Sequence, residues 1–171
     1  MTLNDAPQVH RLWTESQIRR RMWKDDDVEL ERTIAMIERS VEFLQTRGVG
    51  LWCAYARDED LLIGFCGFWF LEELRDPLLS FGMSISHSEH GFATEIARAV
   101  LRHGFQDLGF PRVLLAVSDA RSRRMAKKLG FGSAEFSSNT LVEYHTVDVS
   151  CFRDDGSSHR LSRGPQPLLR A

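Results

Sequence analysis

The chain has 171 residues, of which 43% are hydrophobic and 27% charged, and its formal net charge is −2. These values describe a soluble globular chain that can bury the core of one ordinary domain, and they give no reason to expect a nucleic-acid-binding protein. The longest apolar run, residues 61–71, is too short to cross a bilayer.

The N-terminal part of the chain predicts helices. Residues 6–23 are rich in Arg and Trp and fit one or two short helices, with Asp5 or Thr14 as a possible cap. From Val28 to Gln45, apolar residues recur at steps of three and four positions, which is typical of an amphipathic helix. Gly48 is expected to end it.

The pattern changes to strands near residue 50. Residues 50–57 and 61–70 are rich in aromatic residues and predict two strands, joined by a polar turn at 58–60. A third strand fits residues 78–85. A helix follows over residues 91–108, and Gly109 ends it.

The remaining elements continue the alternation. Residues 112–118 are apolar without alternation, which predicts a strand covered on both faces. Asp119 is expected to cap a basic helix that ends at Gly130. Two last strands fit residues 132–137 and 141–151. This order predicts one α/β domain over residues 1–152, while Gly, Pro and Ser predict a disordered tail over 153–171.

The cysteines and the N-terminus favour a cytoplasmic protein. Cys53, Cys66 and Cys151 are isolated in strand-like segments, as expected for buried thiols in a reducing compartment. The first residues show no secretion signal. His87 and His90 are three residues apart, but no Cys or acid set completes a metal site, so no metal is expected.

Three short segments carry a resemblance to a known family: GFATE at 91–95, LGF at 108–110 and KLGF at 128–131. In this order they resemble the GCN5-related N-acetyltransferases (GNAT family), in particular the branch that modifies the N-termini of ribosomal proteins and related amines. The resemblance covers roughly residues 7–150. It implies a single-domain GNAT-like sandwich with a mixed, mostly antiparallel central sheet and helices on both faces.

The resemblance also implies acetyl-CoA as the cosubstrate. It would lie in a V-shaped opening between the strand ending near Ile85 and the strand at 112–118, with backbone groups pairing along the pantetheine arm. The N–H groups and dipole of the following helix would favour the pyrophosphate. The residues assigned to the cofactor on this basis are Met83, Ile85, His90, Gly91, Phe92, Ala93, Thr94, Asp119 and Ser122.

The turn at which the resemblance places the pyrophosphate departs from the family's pattern. The family usually has Gln or Arg, two residues, Gly, any residue, then Gly or Ala, whereas residues 88–93 read SEHGFA. A carboxylate about 4 Å from a phosphate would oppose it by about 4 kcal/mol at an effective dielectric near 20. Glu89 therefore either points into water, where its cost is much smaller, or occupies the anion site itself.

Two further departures concern Asp119 and the start of the chain. Relatives commonly carry Asn at the position of Asp119, which can still cap a helix but cannot donate an amide hydrogen bond. The family's first strand is missing, because only MTLND precedes the first helix. Either the recorded start is late or the sheet has lost an edge strand, which would leave backbone groups open to pairing with another chain, as in a homodimer.

No residue is assigned to catalysis. The helix position where many relatives carry Tyr holds Ala126, and a strand position that often carries Glu holds Leu78. Loop acids at Glu72, Glu73 or Asp76 could deliver a base, although solvated loop acids are the simpler interpretation. Positioning alone can contribute about 7–11 kcal/mol.

The resulting prediction is an acetyl-CoA-dependent N-acetyltransferase acting on a primary amine, either a protein N-terminus or a small amine. The alternative is a catalytically silent GNAT-like binding module or a coenzyme A sensor. A basic stripe, residues 121–128, either attracts coenzyme A phosphates or an acidic partner, or is a solvated helix face. A second basic run, residues 19–21, is expected to be solvent-exposed. One of Trp13 and Trp23 is expected to line the acceptor side.

Overall fold

The structure is a computed structural model. It describes residues 1–23, 26–56, 61–72, 74–88, 91–132, 134–136, 143–152 and 167–170. The predictions made for Glu73, Glu89 and His90 lie outside these residues, as does most of the predicted tail.

Three helices precede the sheet: α1 (Ala6–Trp13), α2 (Ser16–Trp23) and α3 (Leu30–Arg47). The two short helices and the long amphipathic helix match the sequence prediction. Gly48 ends α3 at a φ of 70°, a left-handed conformation that glycine adopts without steric cost. Asp5 precedes α1 but makes no side-chain cap bond; its carboxylate instead accepts a hydrogen bond from Tyr55 Oη at 2.6 Å.

The described strands form one seven-stranded sheet. They are β1 (Leu51–Ala56), β2 (Leu62–Trp69), β3 (Leu78–Met83), β4 (Arg112–Val117), β5 (Ala134–Phe136), β6 (Glu143–Asp148) and β7 (Pro167–Arg170). Their order is β5-β6-β4-β3-β2-β1-β7. The β3–β4 pair is parallel and the other described pairs are antiparallel, so the sheet is mixed and mostly antiparallel, as predicted.

The sheet edge next to β1 differs from the sequence prediction. The composition of the tail predicts disorder, but residues 167–170 form β7, which pairs with β1 from Cys53 to Ala56. An exposed strand edge offers unpaired N–H and C=O groups, and a distant segment can satisfy them regardless of its composition. The edge that the missing first strand would leave open is therefore paired within the same chain.

Two helices lie between and after the central strands. α4 (Phe92–Arg102) continues into one π-helical turn (His103–Asp107) instead of the single helix predicted over 91–108. Gly104 in that turn packs so closely that an added Cβ would lie 2.5 Å from Phe68 Cζ. α5 (Ala120–Lys128) begins after Asp119, whose side chain accepts a hydrogen bond from Ser122 N, which confirms the predicted cap.

Hydrophobic clusters cover both faces of the sheet. One lies under α1, α2 and α3 and contains Trp13, Ile37 and Phe65; the other lies under α4 and α5 and contains Phe68 and Leu101. Every residue of β2 is buried. This arrangement confirms the α/β sandwich with helices on both faces.

Trp13 and Trp23 are both buried in the core, with ring centroids 5.7 Å apart. That one of them lines the acceptor side stays a prediction, because no acceptor site is identified among the described residues. The prediction that all three cysteines are buried is wrong for one of them. Cys53 and Cys66 are buried, but Cys151 is exposed because it lies in a turn after β6. Burial raises the pKa of the Cys53 thiol to about 12.

Candidate functional site

The central parallel strands part from each other. Among the described residues, β3 and β4 pair at Leu78 and Leu114 near their starts, where Leu114 N also donates to Pro77 O at 2.9 Å. Beyond that point no further register pair joins them, whereas β3 pairs with β2 and β4 pairs with β6 along their lengths. The result is the V-shaped opening that the resemblance implies.

A cavity of about 480 Å³ borders the end of β3, and none of its described lining residues belongs to β4. Its walls come from five parts of the fold: α2, the end of β3, the turn before α4, the first turn of α4, and α5. The described lining residues are Gln17, Ile18, Arg21, Met22, Phe81, Gly82, Met83, Ser88, Gly91, Ala93, Thr94, Arg121, Ser122, Arg124, Met125 and Lys128. Four of them are cationic and none is acidic, so the cavity favours a negatively charged ligand.

Five of the sequence-predicted site residues line this cavity: Met83, Gly91, Ala93, Thr94 and Ser122. Phe92 is not among the described lining residues, and its side chain packs in the core. Ile85 does not line it either. β3 ends at Met83, two residues earlier than predicted, and Ile85 lies in a 3-10 turn with 56% exposure.

Gly91 sets the geometry of the turn before α4. Its φ is 81°, and it precedes the first helical residue, Phe92. A Cβ added at Gly91 would meet nothing within 4 Å, so the space above its backbone is open. The first N–H groups of an α-helix have no partner inside the helix. Gly91 therefore adds no side chain of its own between the cavity and the start of α4.

Asp119 lies at the other side of the opening, at the start of α5. Its Oδ1 accepts from Ser122 N at 2.7 Å, and Ser122 Oγ accepts in turn from Asp119 N at 3.0 Å. Its Oδ2 pairs with Arg21 Nη2 at 2.5 Å. Partial burial alone would raise the pKa of Asp119, but the Ser122 N–H and the Arg21 guanidinium hold it below its ordinary value.

α2 and the turn before it contribute to the site, and the sequence did not predict this. Gln17 Nε2 donates to Met83 O at 3.2 Å, and Arg21 reaches Asp119. Glu15 accepts from Ile85 N at 3.1 Å and from Ser84 Oγ at 2.8 Å. Arg20 and Arg21 are exposed, as predicted, whereas Arg19 is half-buried. A polar helix gives no local signal of which distant backbone it will meet, so sequence spacing could not reveal these contacts.

The basic stripe on α5 divides between two roles. Arg121, Arg124 and Lys128 line the cavity. Arg123 points elsewhere and forms a bidentate pair with Glu143 on β6, with both N–O distances at 2.8 Å. Part of the stripe therefore supplies positive charge to the cavity, and part is a structural ion pair.

The candidate catalytic acids lie away from the cavity or are engaged. Asp76 is 3.9 Å from Arg112 Nη1. Ala126, at the position of the family's tyrosine, is 1% exposed. Glu95, in the first turn of α4, has a pKa raised by burial, but it is not among the described lining residues. None of these groups is placed to touch a bound ligand in the cavity.

Metal ligation and membrane insertion find no support in the part of the chain that the structure describes. It contains no cluster of three or more His, Cys, Asp or Glu side chains arranged to hold a metal ion. None of the helices among these residues combines the length and the apolar character that a bilayer crossing requires.

Comparisons with known proteins agree with this architecture. The family model for the acetyltransferase (GNAT) domain matches residues 1–132. The uncharacterized N-acetyltransferase YoaA of Bacillus subtilis is 26% identical over 134 residues, which cover 77% of this chain and 76% of YoaA.

Solved structures show the same fold at low sequence identity. The ribosomal-protein-S5-alanine acetyltransferase from Vibrio fischeri superposes with a TM-score of 0.72 at 10% identity, over 90% of this chain and 92% of that one. The aminoglycoside acetyltransferase AAC(6')-Ib, in complex with coenzyme A, superposes with a TM-score of 0.70 at 17% identity, over 88% of this chain and 93% of that one.

Proposed function

The chain belongs to the GNAT acetyltransferase family, whose domain model covers residues 1–132, and from that membership we propose that it transfers the acetyl group of acetyl-CoA to a primary amine. The acceptor is a protein N-terminus or a small amine. One observation carries the assignment of the site: the cavity that borders the end of β3 and the turn at the left-handed Gly91 contains four cationic side chains and no acidic one among its described lining residues.

The end of β3 supports the binding of the pantetheine arm. Phe81, Gly82 and Met83 line the cavity, and β3 has no register pair with β4 at these residues. Gln17 donates an amide N–H to Met83 O from within this cavity. An amide can therefore reach that carbonyl from the cavity side, and an amide is the group that a pantetheine arm presents.

The turn before α4 supports the binding of the diphosphate. Gly91 leaves open space above its backbone, and the amide groups and dipole of the α4 N-terminus attract anions. Arg121, Arg124 and Lys128 add positive charge from α5. These groups fit a ligand with several phosphate charges at one end.

Acetyl-CoA supplies a thioester, whose carbonyl carbon bonds to the amine nitrogen while the carbon–sulfur bond breaks and the amine proton passes to solvent or to the thiolate. The contribution of this chain is to hold the two reactants together and to keep the amine beside the thioester. Orientation of this kind can lower a barrier by about 7–11 kcal/mol. Because no acid is among the described lining residues, we expect the amine to lose its proton to water before attack.

The proposal is tested in two steps on the full chain. First, acetyl-CoA is titrated while thermal stability is followed, since a ligand at 100 times its dissociation constant adds about 2.7 kcal/mol of stability. Second, thiol release is measured with a panel of primary amines and N-terminal peptides. A stability shift with amine-dependent thiol release supports the proposal. An absence of any shift at millimolar acetyl-CoA contradicts it.

A second function is favoured by side chains that already bond the backbone at and just after the end of β3. Glu15 accepts a hydrogen bond from Ile85 N, and Gln17 donates one to Met83 O. Ala126 occupies the position at which many relatives carry a tyrosine. These features favour a GNAT-like module that binds coenzyme A without turnover, or does not bind it. A stability shift without thiol release on any amine identifies the first case, and no shift identifies the second.

A further inference from the structure

A salt bridge joins the two sides of the opening. Arg21 on α2 and Asp119 at the start of α5 are 98 positions apart in sequence, and Nη2 of the first lies 2.5 Å from Oδ2 of the second. The arginine side chain is 32% exposed and the aspartate side chain 39% exposed. Arg21 also lines the cavity, whereas Asp119 is not among its described lining residues.

Without Arg21, the negative charge of Asp119 would be unfavourable for an anion bound in the cavity. Asp119 places a carboxylate beside a cavity whose described lining residues include four cations and no acid. An unpaired carboxylate there would repel phosphate, and it has no N–H to donate. The guanidinium of Arg21 neutralises it and still has donors to spare, because an arginine carries five N–H groups in a planar fork.

Arg21 and Asp119 have different roles in this salt bridge. Asp119 is fixed by two hydrogen bonds with Ser122, so its Oδ2 offers Arg21 a rigid anchor. Arg21, held on that anchor, is part of the cavity wall on α2, and three further cationic residues of the wall lie on α5. A phosphate in the cavity would thus meet positive charge from both α2 and α5.

We infer that Arg21 is a phosphate-binding residue for coenzyme A and that Asp119 is its positioning residue. This inference rests on the proposed function, because it requires that coenzyme A bind in this cavity. The pair replaces the amide donor that an asparagine at position 119 would supply. The phosphate is either the diphosphate or the 3'-phosphate of coenzyme A, and the two are separated by the choice of ligand.

The test is calorimetric titration of the full chain with coenzyme A, with dephospho-coenzyme A and with S-acetyl-pantetheine, which has no phosphate. The variants are Arg21→Ala, Arg21→Lys, Asp119→Asn and the double variant Arg21→Ala with Asp119→Asn. Arg20→Ala is the matched control, because it removes the same charge from the neighbouring position of α2, which is not among the cavity residues. Melting curves establish that each variant is folded.

We expect Arg21→Ala to weaken coenzyme A binding at least tenfold, as for the loss of a charge-assisted hydrogen bond, and Arg20→Ala to change it less than twofold. Arg21→Lys should recover part of the loss. Binding of S-acetyl-pantetheine should be unchanged in all variants. If Arg21→Ala also weakens the binding of dephospho-coenzyme A, Arg21 contacts the diphosphate. If Arg21→Ala leaves the binding of dephospho-coenzyme A unchanged, Arg21 contacts the 3'-phosphate.

The double variant tests the positioning role. Without the carboxylate of Asp119, the arginine is not held in place and no negative charge is uncovered when it is removed, so Arg21→Ala should cost less in the Asp119→Asn background. Equal losses in both backgrounds overturn the positioning role. An equal effect of Arg21→Ala and Arg20→Ala on coenzyme A affinity, or an equal loss of affinity for S-acetyl-pantetheine, overturns the phosphate contact.

If the wild-type chain binds no coenzyme A, the proposed function fails together with the inference. If the wild-type chain binds coenzyme A but the variants bind it equally well, the inference fails alone.

Discussion

Leu78 on β3 and Leu114 on β4 form the register pair at which the two parallel strands meet, and the strands part beyond it. Each strand is held on its other side by an antiparallel ladder of six register pairs, β3 to β2 and β4 to β6. The opening is therefore bounded by two well-paired halves of one sheet. Most of the described residues that line the cavity lie on helices and turns outside these ladders, and its four cationic residues are exposed. Point changes at those four residues can therefore alter ligand binding without unfolding the protein.

Gly91→Asp should abolish or strongly weaken coenzyme A binding. The new carboxylate would stand in the open space above the turn, and like charges about 4 Å apart repel by about 1 kcal/mol in water and about 4 kcal/mol at an effective dielectric near 20. The expected loss of affinity is about tenfold to a thousandfold. Calorimetric titration of the variant with coenzyme A measures it.

Gly109→Asp is the matched control for this substitution. Gly109 also has a positive φ, 68°, and open space around an added Cβ, but it is not among the described cavity residues. Both variants should lose roughly 1–2 kcal/mol of unfolding free energy from the left-handed conformation, and the Gly109 variant should keep its affinity. Equal affinities in the two variants would remove the turn before α4 from the site.

Alkylation should distinguish the exposed cysteine from the buried ones. Burial raises the pKa of Cys53 to about 12 and raises the pKa of Cys66 as well, so both remain neutral thiols near pH 8. Cys151 is exposed. In the native protein, iodoacetamide should modify Cys151 first, and the other two should react after denaturation, as read by peptide mass spectrometry. Rapid native labelling at Cys53 would contradict the packing of β1.

The sequence predicted the elements whose signal is local. The period of α3, the stop at Gly48, the apolar run of β4 and the cap at Asp119 each depend on neighbouring residues, and each is confirmed. The opening that the resemblance implies between β3 and β4 is also present. Of the nine residues predicted to bind the cofactor, His90 lies outside the described residues and five of the other eight line the cavity. That these residues bind the cofactor stays a prediction.

The features that the sequence did not predict depend on distant partners. Gln17 and Arg21 belong to the cavity because α2 lies against β3 and α5, and β7 forms because β1 has an unpaired edge. The end of β3 was placed too late because Ile85 is apolar, although Glu15 holds it in a turn. Composition and spacing record none of these long-range contacts.

Glu143→Gln should destabilise the protein near neutral pH and have little effect in acid. Hydrogen bonds from Arg123 and then from His145 lower the pKa of Glu143 from about 4.5 to about 2. A depressed folded-state pKa adds stability that is present above the unfolded value and is lost as the pH falls towards 2. The difference in denaturation midpoint between wild type and variant should therefore shrink from pH 6 to pH 3. Glu38→Gln, at an exposed position of α3, is the control and should show no such trend.

Removal of residues 167–171 should open the edge of the sheet. β7 pairs with β1 across four register pairs, Cys53 to Ala56 with Arg170 to Pro167, and the truncation leaves those backbone groups of β1 without their partner strand. Each lost backbone hydrogen bond costs about 0.5–1.5 kcal/mol, and a bare strand edge pairs readily with another chain. We expect faster amide exchange at residues 53–56, a lower denaturation midpoint and concentration-dependent self-association by light scattering. Removal of Ala171 alone keeps β7 and should change none of these quantities. If amide exchange at residues 53–56 is the same in both truncations, β7 does not protect that edge in solution.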